Sequence, residues 1–156
     1  MKRVVGLLIV AFLATNLTMA QNTWRLGANV GLPVGEMDDV TDLQWGADLT
    51  YMYELANIVG IGAMVGYSQY ITDGDFSNVQ FLPVAASGRI GFPRGLFIGA
   101  DLGYAFGLSD GNDGGVYYRP KLGFNLFGLG LIASYSGVSA DGGSFNSVNL
   151  GVEFGL

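Results

Sequence analysis

The sequence contains no cysteine and no histidine, and only 13% of its 156 residues are charged. Without cysteine there is no disulfide framework, no thiol nucleophile, no thiolate metal site and no attachment point for a lipid on a processed N-terminus. Without histidine, the usual serine hydrolases lose their base and the usual metal hydrolases their ligands. Charge is short as well. An ordinary soluble domain carries about 25% charged residues, so this chain has too few to cover a surface facing water. Half of the residues are hydrophobic, which excludes a disordered chain, and the 26 glycines follow no G-X-Y register, which excludes collagen. Beyond the N-terminal segment no stretch approaches the roughly 20 apolar residues of a membrane helix, and no window carries a 3.6-residue stripe.

Residues 1–20 read as a cleavable signal peptide. Lys2 and Arg3 supply the positive start, an apolar run follows from Val4 to Ala14, and Thr18, Met19 and Ala20 offer a small-residue cleavage site. The mature domain is then 21–156. Loss of Lys2 and Arg3 moves the net charge from −6 to −8, with five basic residues against thirteen acidic ones, an unfavourable balance for binding nucleic acid.

What the mature chain does have is alternation, in eight segments. In the first, Trp24, Leu26, Ala28, Val30 and Leu32 lie on one face, with Arg25, Gly27, Asn29 and Gly31 on the other. In the fifth, Leu96, Ile98, Ala100, Leu102 and Tyr104 oppose Phe97, Gly99, Asp101, Gly103 and Ala105. The fourth is ambiguous; placing Leu82, Val84, Ala86 and Ile90 outward sends Arg89 inward. One face of each segment is large and apolar, while the other holds glycine, small polar residues and isolated charges. A soluble barrel needs the reverse contrast, with charges outside. An uncharged outer face is stable against lipid, and strands in lipid must close so that no backbone edge stays unpaired. The expected fold is therefore all-β, an eight-stranded antiparallel up-and-down transmembrane β-barrel.

Connections and aromatics agree with closure. Short turns are expected over 54–58, 91–95 and 125–128, and longer links over 34–41, 71–77, 108–114 and 138–144. Nine of the thirteen acidic residues, among them Glu36, Asp38, Asp73 and Asp110, lie in or beside the longer links. Tracing the strands up and down places Trp45, Tyr67, Tyr104, Tyr118 and Tyr135 at the loop end of the outer face, and Trp24, Tyr51, Tyr53, Phe124 and Phe154 at the turn end. Aromatic rings gather at the two membrane-water boundaries, so these residues are the expected interface aromatics.

The opening Trp24-Arg25-Leu26-Gly27, the strand Tyr118-Arg119-Pro120-Lys121-Leu122-Gly123 and the closing Leu150-Gly151-Val152-Glu153-Phe154-Gly155-Leu156 carry a family resemblance. The chain resembles the small outer-membrane β-barrel domain family, the OmpA/OmpX-like and porin-like single-domain barrels. The resemblance implies a Gram-negative cell envelope, contact with outer-membrane lipids, and a C-terminal strand read by the outer-membrane assembly machinery; Phe154 supplies the near-terminal aromatic, two residues inside Leu156. It also implies periplasmic termini, extracellular acidic loops, and a structural or envelope role with at most a narrow porin-like pore. A surface-binding, adhesin-like barrel is the alternative. A lipid-modifying enzyme is the weaker one, because small barrels of that kind rely on histidine. No catalytic, metal or cofactor site is expected: Asp73-Gly74-Asp75 and Asp110-Gly111-Asn112-Asp113 lack the spacing of a calcium loop and suit turns.

The informative polar residues are the barrel-interior charges Arg25, Asp48, Arg89, Asp101, Arg119, Lys121 and Glu153. An eight-stranded barrel is just wide enough for its own side chains, so a paired, filled interior is expected, with an open lumen as the alternative that the inward glycines permit. A link centred near residue 110 sets Asp101 opposite Arg119 with Lys121 diagonal, and closure brings Glu153 to Arg25.

Overall fold

The computed structural model describes residues 2–5, 22–35, 41–55, 58–72, 78–108, 113–140 and 143–156. Eight strands follow in order: β1 (Asn22–Val34), β2 (Thr41–Leu55), β3 (Val59–Thr72), β4 (Val79–Gly91), β5 (Leu96–Gly107), β6 (Gly115–Leu126), β7 (Leu129–Ala140) and β8 (Gly143–Gly155). Each pairs antiparallel with its sequence neighbours, and β1 pairs with β8, so the sheet closes into a barrel without edges. Closure satisfies the backbone within the sheet itself.

Period two sets the wall. In β4, Phe81, Pro83, Ala85, Ser87 and Arg89 are buried while Val84, Ala86 and Ile90 are exposed, which settles the facing of this strand with Arg89 inside. Leu26, Val30, Leu32, Ile61, Leu102, Leu122 and Leu150 stand exposed on the outer face. Prolines mark gaps in the ladder. The β3–β4 pairing is interrupted between Val65↔Val84 and Ser68↔Phe81, around Pro83, and the β6–β7 pairing between Tyr118↔Gly137 and Lys121↔Ser134, around Pro120. Proline has no N–H to give to a ladder.

Two of the expected connections end differently. Strand β2 runs on to Leu55, so Glu54 belongs to the strand and not to a turn. Strands β7 and β8 extend to Ala140↔Gly143, so most of the span 138–144 is paired strand rather than a long link. Serine and glycine in that span read as loop but are compatible with a strand end, and Val138 and Phe145 are held there by packing inside the barrel. Residues 1–20, read above as a signal peptide, lie outside the described residues apart from a helical turn at 2–5, as do Glu36, Asp38, Asp39, Asp73, Asp75, Asp110 and Asp141.

Candidate functional site in the barrel interior

The inward side chains stack in layers along the barrel axis. Nearest the turns, four strands contribute one charge each: Arg25 from β1, Glu54 from β2, Arg89 from β4 and Glu153 from β8. Arg25 donates from Nη2 to Glu54 Oε1 at 2.7 Å and from Nη1 to Glu153 Oε1 at 3.1 Å. Arg89 Nη2 reaches both oxygens of Glu153, at 2.7 and 2.9 Å, and its guanidinium lies 3.9 Å over the centre of the Phe97 ring. Delocalised and weakly hydrated, a guanidinium can hold an ion pair and an aromatic face at once.

The middle layer is a second quartet with Asp101 at its centre, 1% exposed. Arg119 donates from Nε and Nη2 to Asp101 Oδ2, at 2.8 and 2.7 Å, and from Nη1 to Asp48 Oδ1 at 2.9 Å. Lys121 Nζ lies 2.9 Å from Asp101 Oδ1, and Ser87 donates to the same oxygen at 2.6 Å. Beside this quartet Ser136, Ser147 and Asn149 hydrogen-bond among themselves at 2.9 to 3.1 Å. Both quartets hold two cations and two anions, so each is neutral by itself. Balanced, hydrogen-bonded groups of this kind are how charge is kept in a low-dielectric interior.

The loop end is closed by rings. Tyr70, Phe81 and Phe145 meet with centroid separations of 5.3 to 6.0 Å, and Tyr117, Val138 and Met64 belong to the same buried cluster. Below it, the space between Asp48, Tyr70, Tyr117 and Arg119 is about 20 Å³, on the scale of one water molecule.

No family model and no curated protein matches the chain. Solved structures do. The crystal structure of Ail, the attachment invasion locus protein of Yersinia pestis, aligns with a TM-score of 0.60 at 20% identity, covering 88% of this chain and all of that one. The N-terminal β-barrel domain of Pseudomonas aeruginosa OprF aligns at 0.56 with 19% identity, over 87% of this chain and 98% of that domain. Neisserial surface protein A aligns at 0.52 with 13% identity, over 86% and 97%. Ail has also been solved in complex with the heparin analogue sucrose octasulfate. The chain has the fold of the small outer-membrane barrels.

On the outside of this outer-membrane barrel fold, the ten aromatic residues fall at two heights. Trp24 packs against Tyr51 at 4.8 Å near the turns, where Tyr53, Phe124 and Phe154 also lie. Trp45 packs against Tyr67 at 5.4 Å near the loops, Tyr118 stacks on Tyr135 at 6.4 Å, and Tyr104 donates to the Asp113 carbonyl at 3.1 Å. Inside, all seven charges singled out from the sequence point into the lumen and are bridged.

The sequence reading missed two features of the interior. Glu54 is one; its inward facing was legible as the continuation of Asp48, Thr50 and Met52, had the strand not been ended at Tyr53. The aromatic closure is the other. Tyr70, Phe81, Val138 and Phe145 stand at strand ends next to loop-like sequence, where a large inward residue looks the same as one in a connection.

Proposed function

We propose that the protein is an integral outer-membrane barrel with a structural role in the envelope and no catalytic activity. The observation that carries this reading is the pairing of an uncharged outer belt with a filled interior: the outward side chains of the described strands carry no charge, while the interior is occupied by two neutral ion-pair quartets and an aromatic cluster. Such an exterior requires lipid, and such an interior leaves little room for ions to pass.

In this reading the turns and both ends of the mature chain face the periplasm and the longer acidic links face outward. The exposed aromatics then lie at the two boundaries of the hydrocarbon band, and strand β8, ending in Phe154-Gly155 and followed by Leu156, is the segment engaged by the assembly machinery. A surface role in capturing a heparin-like ligand, suggested by the Ail complex, fits poorly with eight acidic residues in or beside the three longer links.

The test is fractionation with carbonate extraction, followed by reconstitution into planar bilayers. The expected result is recovery in the carbonate-resistant outer-membrane fraction, a gel mobility that shifts on boiling, and conductance near background. Recovery in the soluble periplasm overturns the barrel reading, and a stable open channel overturns the filled interior.

A further inference from the structure

Two neighbouring turn tips carry an unfavourable backbone. Between β4 and β5, Arg94 has a φ of +70° and is followed by Gly95 at +84°; between β6 and β7, Phe127 has a φ of +51° and is followed by Gly128 at +81°. Tight hairpins use such left-handed pairs, but asparagine, aspartate or glycine ordinarily takes the first place, because a bulkier side chain is strained there. Arg94 and Phe127 are the only non-glycine residues with positive φ among the described residues. The tips adjoin, since Leu96 pairs with Phe124 and Gly95 lies against the Asn125 carbonyl.

Packing within the chain does not explain this strain. Phe127 is 97% exposed, and Arg94 is exposed as well. The other basic residues of 21–156, Arg25, Arg89, Arg119 and Lys121, are bridged inside the lumen, whereas Arg94 makes no ion pair among the described residues. Backbone strain held at exposed positions is a mark of function. The surroundings identify the contact. Ile90, Leu96, Leu126 and Phe154 stand exposed beside the tips, and no charged side chain interrupts the outer face of the described strands there, so the apolar belt runs unbroken into the tips. Two tips of two residues each fall well short of the about 800 Å² per partner of a standard protein interface. An apolar ring and a cation at the edge of a lipid-facing belt suit a phospholipid, with acyl chains for the ring and phosphate for the guanidinium.

We propose that the adjoining β4–β5 and β6–β7 tips form a binding site for anionic phospholipid of the surrounding bilayer, Arg94 holding the phosphate and Phe127 lying at the acyl-chain boundary. The proposal rests on the outer-membrane barrel reading and holds for whichever leaflet the turns reach.

Because the chain has no cysteine, a single introduced cysteine can carry a spin label. Phe127→Cys, Leu102→Cys and Asp113→Cys are labelled and compared in vesicles of equimolar phosphatidylcholine and phosphatidylglycerol, by collision with oxygen and with a water-soluble nickel chelate. The label at position 127, like that at 102 on the outer face, is expected to meet oxygen more than nickel, and the label at 113, exposed at the loop end, the reverse. Native mass spectrometry of the unmodified barrel released from equimolar nanodiscs is expected to show phosphatidylglycerol retained about fivefold over phosphatidylcholine. Arg94→Asn removes the charge and suits the left-handed backbone, so it is expected to bring that ratio to about one with the folded gel mobility unchanged. A label at 127 open to nickel while that at 102 is not puts the tip in water, leaves it to a soluble partner and overturns the proposal. A ratio near one for the unmodified barrel, or an unchanged ratio in Arg94→Asn, overturns it as well. A label at 102 open to nickel brings down the barrel reading itself, and the proposal with it.

Discussion

Neutralising Asp101 and Arg119 together should harm the barrel less than the two single changes predict. Asp101→Asn leaves the middle quartet with Arg119, Lys121 and Asp48, an excess of one positive charge; Arg119→Gln leaves Asp48, Asp101 and Lys121, an excess of one negative charge. An uncompensated buried charge costs about 3 to 5 kcal/mol. The lower end applies here, because the introduced asparagine amide would still accept from Lys121 and the introduced glutamine amide would still donate to an acid. The double variant restores neutrality with Asp48 and Lys121, so its loss should fall short of the sum by about 1 to 3 kcal/mol. Coupling is partial because each partner has a second contact, Asp48 for Arg119 and Lys121 for Asp101. Urea unfolding in detergent, read by the gel mobility of folded and unfolded forms, measures all four corners of the cycle. Losses that add within about 0.5 kcal/mol would refute a neutral, interacting quartet. Conductance of the double variant should stay near background, since the rings of Tyr70, Phe81 and Phe145 close the loop end independently.

Three further outcomes follow from the same geometry. Ala100→Arg, at the middle of β5 on the outer face, should lower folded yield by the equivalent of about 2 to 4 kcal/mol, whereas Tyr104→Arg near the loop end should cost clearly less; refolding titrations at equal detergent compare them. Glu153→Gln frees two arginines at once and should destabilise by about 3 kcal/mol or more, while Glu54→Gln, at a partly exposed position, should cost about 1 kcal/mol or less in the same unfolding assay. Gly88→Ala should be silent, with open space where its Cβ would stand, but Gly103→Ala sets a Cβ against the Val84 carbonyl and should cost about 1 to 3 kcal/mol, compared by urea midpoint.

Much of the barrel was open to a reading of the chain alone, for a definite reason. In a strand the face of a side chain follows from local backbone geometry, so the parity of Trp24, Leu26 and Ala28 against Arg25, Gly27 and Asn29 carries through to the wall. Neighbouring-strand register is nearly as local. A link centred near residue 110 sufficed to set Asp101 opposite Arg119, and the structure pairs those two residues. Where the chain misled, the local signal was neutral: Glu54 sat beside a turn, and Gly143 and Ser144 had the composition of a loop although they pair with Ala140 and Ser139.

Contacts across the lumen were not legible in this way. Arg89 of β4 meets Glu153 of β8, Arg119 of β6 meets Asp48 of β2, and Phe145 of β8 packs on Tyr70 of β3, each between strands that are not neighbours. Alternation states only that these side chains point inward. Which of them touch depends on the number of strands, their stagger around the barrel and the width that closure leaves, and these are properties of the whole sheet. For seven of the eight strands the sequence alone thus determined which residues face outward and which face the interior, through a period of two that each strand carries by itself, while burial decided the facing of β4. Only the closed barrel decided that the interior charges form two neutral quartets beneath an aromatic cluster, because those partners come within reach of one another only once β1 has paired with β8.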